Sequence, residues 1–396
     1  MNRNALIYVF PFALDIAVAL LLFVGRHSLA SRGLGPDVVG SILLCFGGGY
    51  LVASLFMRHI VRPHLARRQM LLALAALAAL CIWLPQVESV HWTQVAFCLV
   101  PLSTSLFFNA FQSFMLGVSQ DAAKPLAAMA GHYTCAWSLG YALGPFASGW
   151  ARAWCSWAQI YYLAAAIAGA VAILVLLFRP RGEKSAPAVA PAPAMARRGT
   201  ALVGPAWLGV ALAWIGWTVV SIWWPVQAAA LAFTPTVKGG VEFAFAVSQS
   251  LGALALVYAG AWHHRPGLVF AFGGLGLVGL AVLTAAGSPA LFGAGAVLYG
   301  LYTSSAFSGM VYHSMLEPHR AVARVAVNET VVGSSFFVGP LVAGAVEWAR
   351  GATCVGSAGG MAAYGWLAML LALGLAVQFG WTRRLASAPT RAAVGD

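Results

Sequence analysis

Residues 140–149 read GYALGPFASG and residues 335–344 read SFFVGPLVAG, so one small-x-x-x-Gly-Pro-x-x-small-Gly pattern occurs twice, 195 positions apart in 396 residues. Both copies lie in apolar runs long enough to cross a bilayer. Small residues four positions apart let two helix backbones approach closely, and the proline removes a backbone donor and bends the helix. One copy alone would indicate ordinary membrane-helix packing. The repeat at half the chain length predicts two related bundles that close against each other.

The composition indicates an integral membrane protein. Hydrophobic residues make up 61% of the chain and charged residues only 8%, which excludes an ordinary soluble domain of this length. The formal net charge of +12 could indicate nucleic-acid binding, but the basic residues are scattered over short connections. We therefore interpret them as topology signals and expect no nucleic-acid partner. The six cysteines contain no CxxC pair and are predicted to be packing residues.

Two sets of six apolar runs have about the length of 20 residues that a membrane-spanning helix needs. The runs are 5–26, 38–58, 69–87, 93–117, 127–150 and 157–178, then 205–227, 241–262, 267–286, 289–312, 324–347 and 361–381. Between the sets, the Pro- and Ala-rich sequence RPRGEKSAPAVAPAPAMARRG predicts an extended linker. We expect an all-α membrane protein with six-helix bundles at 1–178 and 205–381, a linker at 179–204 and a tail at 382–396.

The distribution of basic residues predicts the orientation. If the N-terminus is cytoplasmic, 17 of the 22 Lys and Arg residues fall in cytoplasmic segments and 5 fall on the other side. Cytoplasmic segments of membrane proteins carry an excess of Lys and Arg. We therefore expect both termini and the linker to face the cytoplasm, which agrees with an even number of spans.

This organisation resembles the major facilitator superfamily. The run from 140 to 149 is similar to that family's fifth-helix motif, which is associated chiefly with its proton-coupled antiporters. The family's other signature, Gly-x-x-x-Asp-Arg-x-Gly-Arg-Arg, lies between helices two and three. The matching stretch, HIVRPHLARR at 59–68, keeps Arg67 and Arg68 but has Pro63 in place of the Asp. The resemblance implies that two halves alternate access to a central cavity. We expect the membrane to be a bacterial inner (plasma) membrane. How the 59–68 loop latches the inner gate is not decided by the sequence.

Three ionisable residues inside the apolar runs are candidates for proton coupling: Asp15 in helix one, His132 in helix five and Glu329 in helix eleven. An ionised group at membrane depth costs about 2.5–3.5 kcal/mol on insertion scales, so such residues normally face the bundle interior. A carboxyl group among apolar turns is easier to keep protonated, and histidine titrates near neutral pH. The alternatives are hydrogen-bonded structural carboxylates and a packing histidine. Glu242, at the start of helix eight, is interpreted as an interfacial residue.

Polar and aromatic residues on the predicted helices are candidates for substrate binding. They are Asn109, Gln112, Trp214, Trp217, Gln249, Tyr299, Tyr302 and Asn328. The two tryptophans are three positions apart and share a helix face, where they could stack on a substrate or simply pack. A further set is predicted to act in gating or helix packing: Gly140, Gly144, Pro145, Gly149, Gly339, Pro340, Gly344, Arg67 and Arg68.

The sequence contains no GxxxxGK[ST] phosphate loop, HExxH, GxSxG or paired Cys and His metal site. We therefore expect no enzyme activity, no cofactor or metal and no ATP-driven step. The favoured function is secondary transport of a small organic solute by alternating access, as proton-coupled export by a monomer in the lipid bilayer. The alternatives are uptake or symport of a metabolite such as an organic anion, and a receptor or assembly protein that kept the fold without transport.

Overall fold

The computed structural model describes residues 3–32, 36–120, 126–152, 154–178, 201–259, 262, 265–349 and 357–387. Over these residues the chain forms twelve long α-helices and no β-strand, so the prediction of an all-α fold is confirmed. Eleven of the helices are long and apolar enough to cross a membrane. The other, the helix Leu126–Ala151, is less apolar because His132, Thr134, Ser138 and several glycines interrupt its hydrophobic residues.

The helices alternate with short connections and are numbered here in chain order. The first six are α1 (Val9–Ser31), α2 (Pro36–Ile60), α3 (Ala66–Trp83), α4 (Val90–Gln120), α5 (Leu126–Ala151) and α6 (Trp157–Leu177). The second six are α7 (Val203–Ala230), α8 (Pro235–Tyr258), α9 (Pro266–Ala285), α10 (Pro289–Met315), α11 (Pro318–Ala349) and α12 (Ser357–Ser387). Most of the predicted linker lies outside the described residues, and the predicted tail begins within α12.

Local sequence signals set several helix starts. Five of the helices begin with proline, whose fixed φ suits the first helical position and whose missing N–H is not needed there. Ser156 caps α6 in a capping box, since its side chain accepts a 3.2 Å hydrogen bond from the Gln159 N–H while the Gln159 side chain accepts from the Ser156 N–H. These signals set where the helices begin.

The same packing pattern occurs twice. In the first six helices, α1 contacts α5 and α6, α2 contacts α4, and α3 contacts α4 and α6. Six helices later, α7 contacts α11 and α12, α8 contacts α10, and α9 contacts α10 and α12. The two sets, called the first and second halves below, meet mainly through α2 against α11 and α5 against α8. The internal repeat seen in the sequence therefore corresponds to a repeated helix arrangement.

The repeated Gly-Pro motif packs helices within each half. A Cβ on Gly140 or Gly144 would clash with the backbone of Phe12 or with Ala19, both on α1, and a Cβ on Gly339 would lie 2.6 Å from Thr218 on α7. The motif therefore brings α5 against α1 and α11 against α7. This corrects the expectation that the motif closes the two bundles against each other.

Other glycines make the close approaches between the halves. A Cβ on Gly47 of α2 would lie 2.6 Å from the Phe336 backbone on α11, and one on Gly333 of α11 would lie 2.6 Å from the backbone of Leu51. A Cβ on Gly131 of α5 would lie 2.5 Å from Cγ2 of Val257 on α8. The last glycines of the two motifs, Gly149 and Gly344, would bring a Cβ within 4 Å of no described atom.

Candidate functional site

A cavity lies between the two halves. Its wall is formed by residues of α1, α2, α4 and α5 from the first half and of α7, α10 and α11 from the second. Two carboxyl groups line it, Asp15 from α1 and Glu329 from α11, and each residue is 6% exposed. The structure thus brings together two of the three ionisable residues that the sequence singled out, one from each half.

Glu329 is fixed by hydrogen bonds that cross between the halves. Its Oε2 accepts a 2.5 Å hydrogen bond from the Tyr50 hydroxyl on α2, and its Oε1 accepts a 2.6 Å bond from Nε2 of Gln112 on α4. An ionised carboxylate only accepts hydrogen bonds, so two donors on its two oxygens satisfy it well. Gln112, a substrate candidate, therefore acts on Glu329 in this structure.

Asp15 lies in a different environment from Glu329. Its Oδ2 is buried and has no hydrogen-bond partner among the described residues. Room for its side chain comes from Gly140, where a Cβ would lie 3.1 Å from the Cβ of Asp15. Because no donor compensates a charge on that oxygen, a neutral carboxyl group costs less there than an ionised one.

Aromatic side chains make up most of the remaining wall. They are Phe46, Tyr50, Phe108, Tyr133, Trp137, Tyr141, Trp214, Phe307 and Phe336. Trp214, a substrate candidate, lies at their centre, with its ring 6.1 Å from Trp137, 5.1 Å from Phe307 and 5.3 Å from Phe336 between centroids. These three pairs meet at 79–83°, so the ring faces point in several directions.

Trp217 and Glu242 line a second, smaller pocket. This pocket also includes Arg26 of α1, Pro145 of α5 and Tyr141, which borders the main cavity as well. Trp217 stacks on the ring of Phe245 of α8, with 3.3 Å between centroids. Glu242 is half-buried and lies in this pocket with a basic residue of the other half, whereas the sequence suggested an interfacial residue.

His132 does not line the cavity. Its Nδ1 lies 2.5 Å from the Ala128 carbonyl oxygen one turn earlier in α5, and its ring stacks on Tyr8 at 5.6 Å between centroids. The side chain is half-buried. A backbone contact and a ring contact occupy it in this conformation, which leaves its coupling role as a prediction.

Two of the polar substrate candidates are used in hydrogen bonds away from the cavity. Asn109 donates from Nδ2 to the Ser105 carbonyl oxygen at 2.8 Å, within α4. Asn328, next to Glu329 on α11, accepts at Oδ1 from Trp207 Nε1 and from the Ser314 hydroxyl, both at 2.7 Å. The bonds of Asn328 join α11 to α7 and α10.

The two tyrosine candidates fix α10 against α7. The Tyr299 hydroxyl donates to the Ala213 carbonyl oxygen at 2.9 Å, and the Tyr302 hydroxyl donates to the Gly209 carbonyl oxygen at 3.2 Å. Gln249 is buried on α8 and is not part of the cavity wall. The two tyrosines hold α10 against α7 in the observed conformation.

The start of α3, which follows the loop from α2, is attached to its own half. Arg67 donates from Nε to the Val175 carbonyl oxygen at 3.1 Å and from Nη2 to the Leu176 carbonyl oxygen, at the C-terminal end of α6. Cations are favourable at that end of a helix, where carbonyl groups lack partners. Arg68 is exposed. Pro63, in place of an acidic residue, leaves Arg67 with these backbone partners.

Sequence reasoning missed most of the cavity wall. Tyr50, Tyr133, Trp137 and Phe307 all contact the same space as Asp15. In a membrane helix an aromatic residue is equally compatible with lipid and with the bundle interior, so residue type alone gives no signal. Only the packing of neighbouring helices decides which face points inward.

Comparison with known proteins supports the architecture. The family model described as the Major Facilitator Superfamily matches residues 5–340. Among solved structures, the human organic anion transporter MFSD10 (TETRAN) is similar with a TM-score of 0.70 and 18% identity, covering 95% of this chain and 99% of that one. The nucleoside transporter NupG is similar with a TM-score of 0.65 and 11% identity, covering 96% and 99%. No curated protein matched the sequence. At these identities the structures show a shared fold, while the family match over most of the chain shows that this protein belongs to the major facilitator superfamily.

Proposed function

We propose that this protein is a secondary active transporter that moves a small organic solute by alternating access and couples its export to protons. The observation that carries the proposal is the cavity between the halves, into which Asp15 of the first half and Glu329 of the second both project. Ionisable residues inside a membrane bundle are costly and normally mark a substrate or ion pathway. A site at the junction of two repeats is also where alternating access needs it.

The contacts between the halves are of a kind that can separate. They include helix-packing contacts at close-fitting glycines, ring contacts such as Trp137–Trp214, the Ser138–Ser250 hydrogen bond of 2.8 Å between α5 and α8, and the bonds to Glu329. Within each half the packing is continuous. Two rigid bodies that meet through helix packing with few hydrogen bonds can rock around a central site without losing their internal structure.

Asp15 is the residue we assign to the proton. The titratable side chains that share its cavity are Tyr50, Tyr133, Tyr141 and Glu329. With no donor on its buried Oδ2, Asp15 is the carboxyl group that favours the protonated form while the cavity is closed. Opening to water lowers the cost of its charge, so the proton can leave on the side to which the cavity opens.

Export, rather than uptake, is supported by the resemblance of the 140–149 motif to that of proton-coupled antiporters. The same proposal includes a monomer in a bacterial inner membrane, with both termini in the cytoplasm, as the distribution of Lys and Arg indicates. MFSD10 and NupG transport organic anions and nucleosides by their names. They support transport of a small organic solute. Because their cargoes differ, the solute class has to be inferred from the lining of the cavity.

The test uses purified protein in proteoliposomes that contain a pH-sensitive dye. Small organic solutes of different charge are added outside one at a time. For an antiporter, solute entry expels protons, so the internal pH rises; for a symporter, the internal pH falls. A solute-dependent rise that empty liposomes lack supports the proposal. A solute that binds in detergent but shows neither pH change nor counterflow would indicate a receptor and overturn it.

A further inference from the structure

We propose that the transported solute is a lipophilic organic cation, with one positive charge on an apolar or aromatic body, held beside Glu329 within the aromatic wall of the cavity. This inference rests on the proposed function, because it names the substrate class of the same site.

The first argument is the charge of the cavity. Its described lining includes two carboxyl groups and no Lys, Arg or His. Tyr50 and Gln112 satisfy the oxygens of Glu329 by hydrogen bonds, but both are neutral and leave its negative charge in place. If Asp15 holds the proton, one uncompensated charge remains among apolar surroundings. A monovalent cation is the ligand that balances it.

The second argument is the aromatic wall. Nine of the seventeen lining residues are aromatic. The face of an aromatic ring attracts cations, and organic cations are commonly held in cages of such rings. Around Trp214 the rings of Trp137, Phe307 and Phe336 stand nearly perpendicular to it, so the cavity offers ring faces and edges from several sides, which fits a compact body with delocalised charge.

The same lining disfavours the two cargoes named for the similar structures. An organic anion would meet Glu329 with no basic group to compensate either charge. A nucleoside needs many hydrogen-bonding partners, whereas the uncharged polar groups of the lining residues are the Thr104 hydroxyl, three tyrosine hydroxyls and the indole Nε1 atoms of Trp137 and Trp214. Most of the other lining residues are apolar and include Val18, Leu22 and Met310. An apolar cation has the smallest mismatch with these groups.

The test compares two probes of the same shape and opposite charge, tetraphenylphosphonium and tetraphenylborate. Each is titrated separately into purified full-length protein by calorimetry, with protein-free micelles as the blank. We expect tetraphenylphosphonium to bind at least about tenfold more tightly. Glu329→Gln should weaken its binding at least about tenfold. Glu88→Gln removes the same charge at an exposed position away from the cavity and should leave the affinity unchanged.

Two results would overturn the inference: tetraphenylborate binding as tightly as tetraphenylphosphonium, or the two carboxylate variants having equal affinities. The comparison of probes on the parent protein needs no variant, so it decides even if Glu329→Gln fails to fold. Counterflow of tetraphenylphosphonium in proteoliposomes separates the two proposals. Binding without counterflow keeps the cation site and rejects transport, whereas counterflow of anions alone keeps transport and rejects the cation.

Discussion

The hydroxyl of Tyr50 on α2 lies 2.5 Å from Oε2 of Glu329 on α11, and this hydrogen bond joins the two halves at the wall of the cavity. Gln112 adds a second donor from α4. A carboxylate of the second half is thus positioned by side chains of the first half. Movement of the halves would change the donors around Glu329 and, with them, how strongly its charge attracts a cation.

Tyr50→Phe should destabilise the protein. It removes one donor and leaves Oε2 of Glu329 buried, which costs about 1–3 kcal/mol. The check is thermal unfolding in detergent, where the variant should unfold at a lower temperature than the parent. Tyr258→Phe is the matched control because Tyr258 is 81% exposed, and it should behave like the parent. Equal unfolding temperatures for Tyr50→Phe and the parent would mean that the hydrogen bond contributes nothing.

Locking the halves together should stop transport. A Cβ on Gly131 of α5 would lie 3.8 Å from the Cβ of Val257 of α8, which is a suitable separation for a disulfide. In a background without native cysteines, Gly131→Cys with Val257→Cys should cross-link under oxidation and block counterflow, and reduction should restore it. The reason is that this contact must open if the halves rock.

The matched control for the cross-link lies within one half. Ser54 of α2 and Ser105 of α4 are both buried, with their hydroxyls 2.9 Å apart. Ser54→Cys with Ser105→Cys should leave counterflow intact after oxidation, because each half moves as a rigid body. Transport by the oxidised Gly131–Val257 pair, or its loss in the control pair alone, would contradict rigid-body rocking of these halves.

Gly144→Leu should destabilise the first half. A Cβ there already overlaps Ala19 of α1, so a leucine forces α1 and α5 apart, and overpacking of this kind typically costs about 1–3 kcal/mol. Gly149→Leu places the same side chain in open space and should change stability by less than about 0.5 kcal/mol. Unfolding temperatures of the two variants provide the comparison. Similar losses would show that the motif's glycines are not distinguished by packing.

The fold could be predicted because its signals are local. Length and hydropathy identify membrane helices without knowledge of their neighbours, and the repeat of the Gly-Pro motif reveals the two halves. Asp15 and Glu329 could be found for the same reason, since an ionisable residue in an apolar run is costly wherever it points.

The remaining cavity could not be predicted because it depends on which helix faces meet. Asn109 was a reasonable polar candidate, but a side-chain amide within a helix can bond a carbonyl oxygen of the preceding turn, and it does so with Ser105. Trp214 and Trp217 were treated alike, and yet only Trp214 lines the main cavity. The glycines between the halves, such as Gly333, carry no motif that separates them from ordinary packing glycines.

Reporter fusions test the orientation. Fusions at positions 181 and 384 should both report a cytoplasmic location, because 17 of the 22 basic residues then lie on the cytoplasmic side. A fusion in the connection between α5 and α6 should report the opposite side and serves as the control. An external signal from either cytoplasmic fusion would reverse the orientation or change the number of spans.

Asp15→Asn should separate transport from its driving force. Asparagine keeps the approximate shape of the side chain beside Gly140 and removes the group that can gain and lose a proton. Glu329 and the aromatic wall remain, so binding and gradient-free exchange of the solute should largely survive. An imposed pH gradient should no longer drive accumulation in proteoliposomes, whereas it should still do so for a Glu88→Gln control at an exposed site.

If the Asp15 variant responds to the pH gradient as the parent does, Asp15 is structural. Glu329, which shares the cavity, then becomes the next coupling candidate, followed by His132, which does not line the cavity.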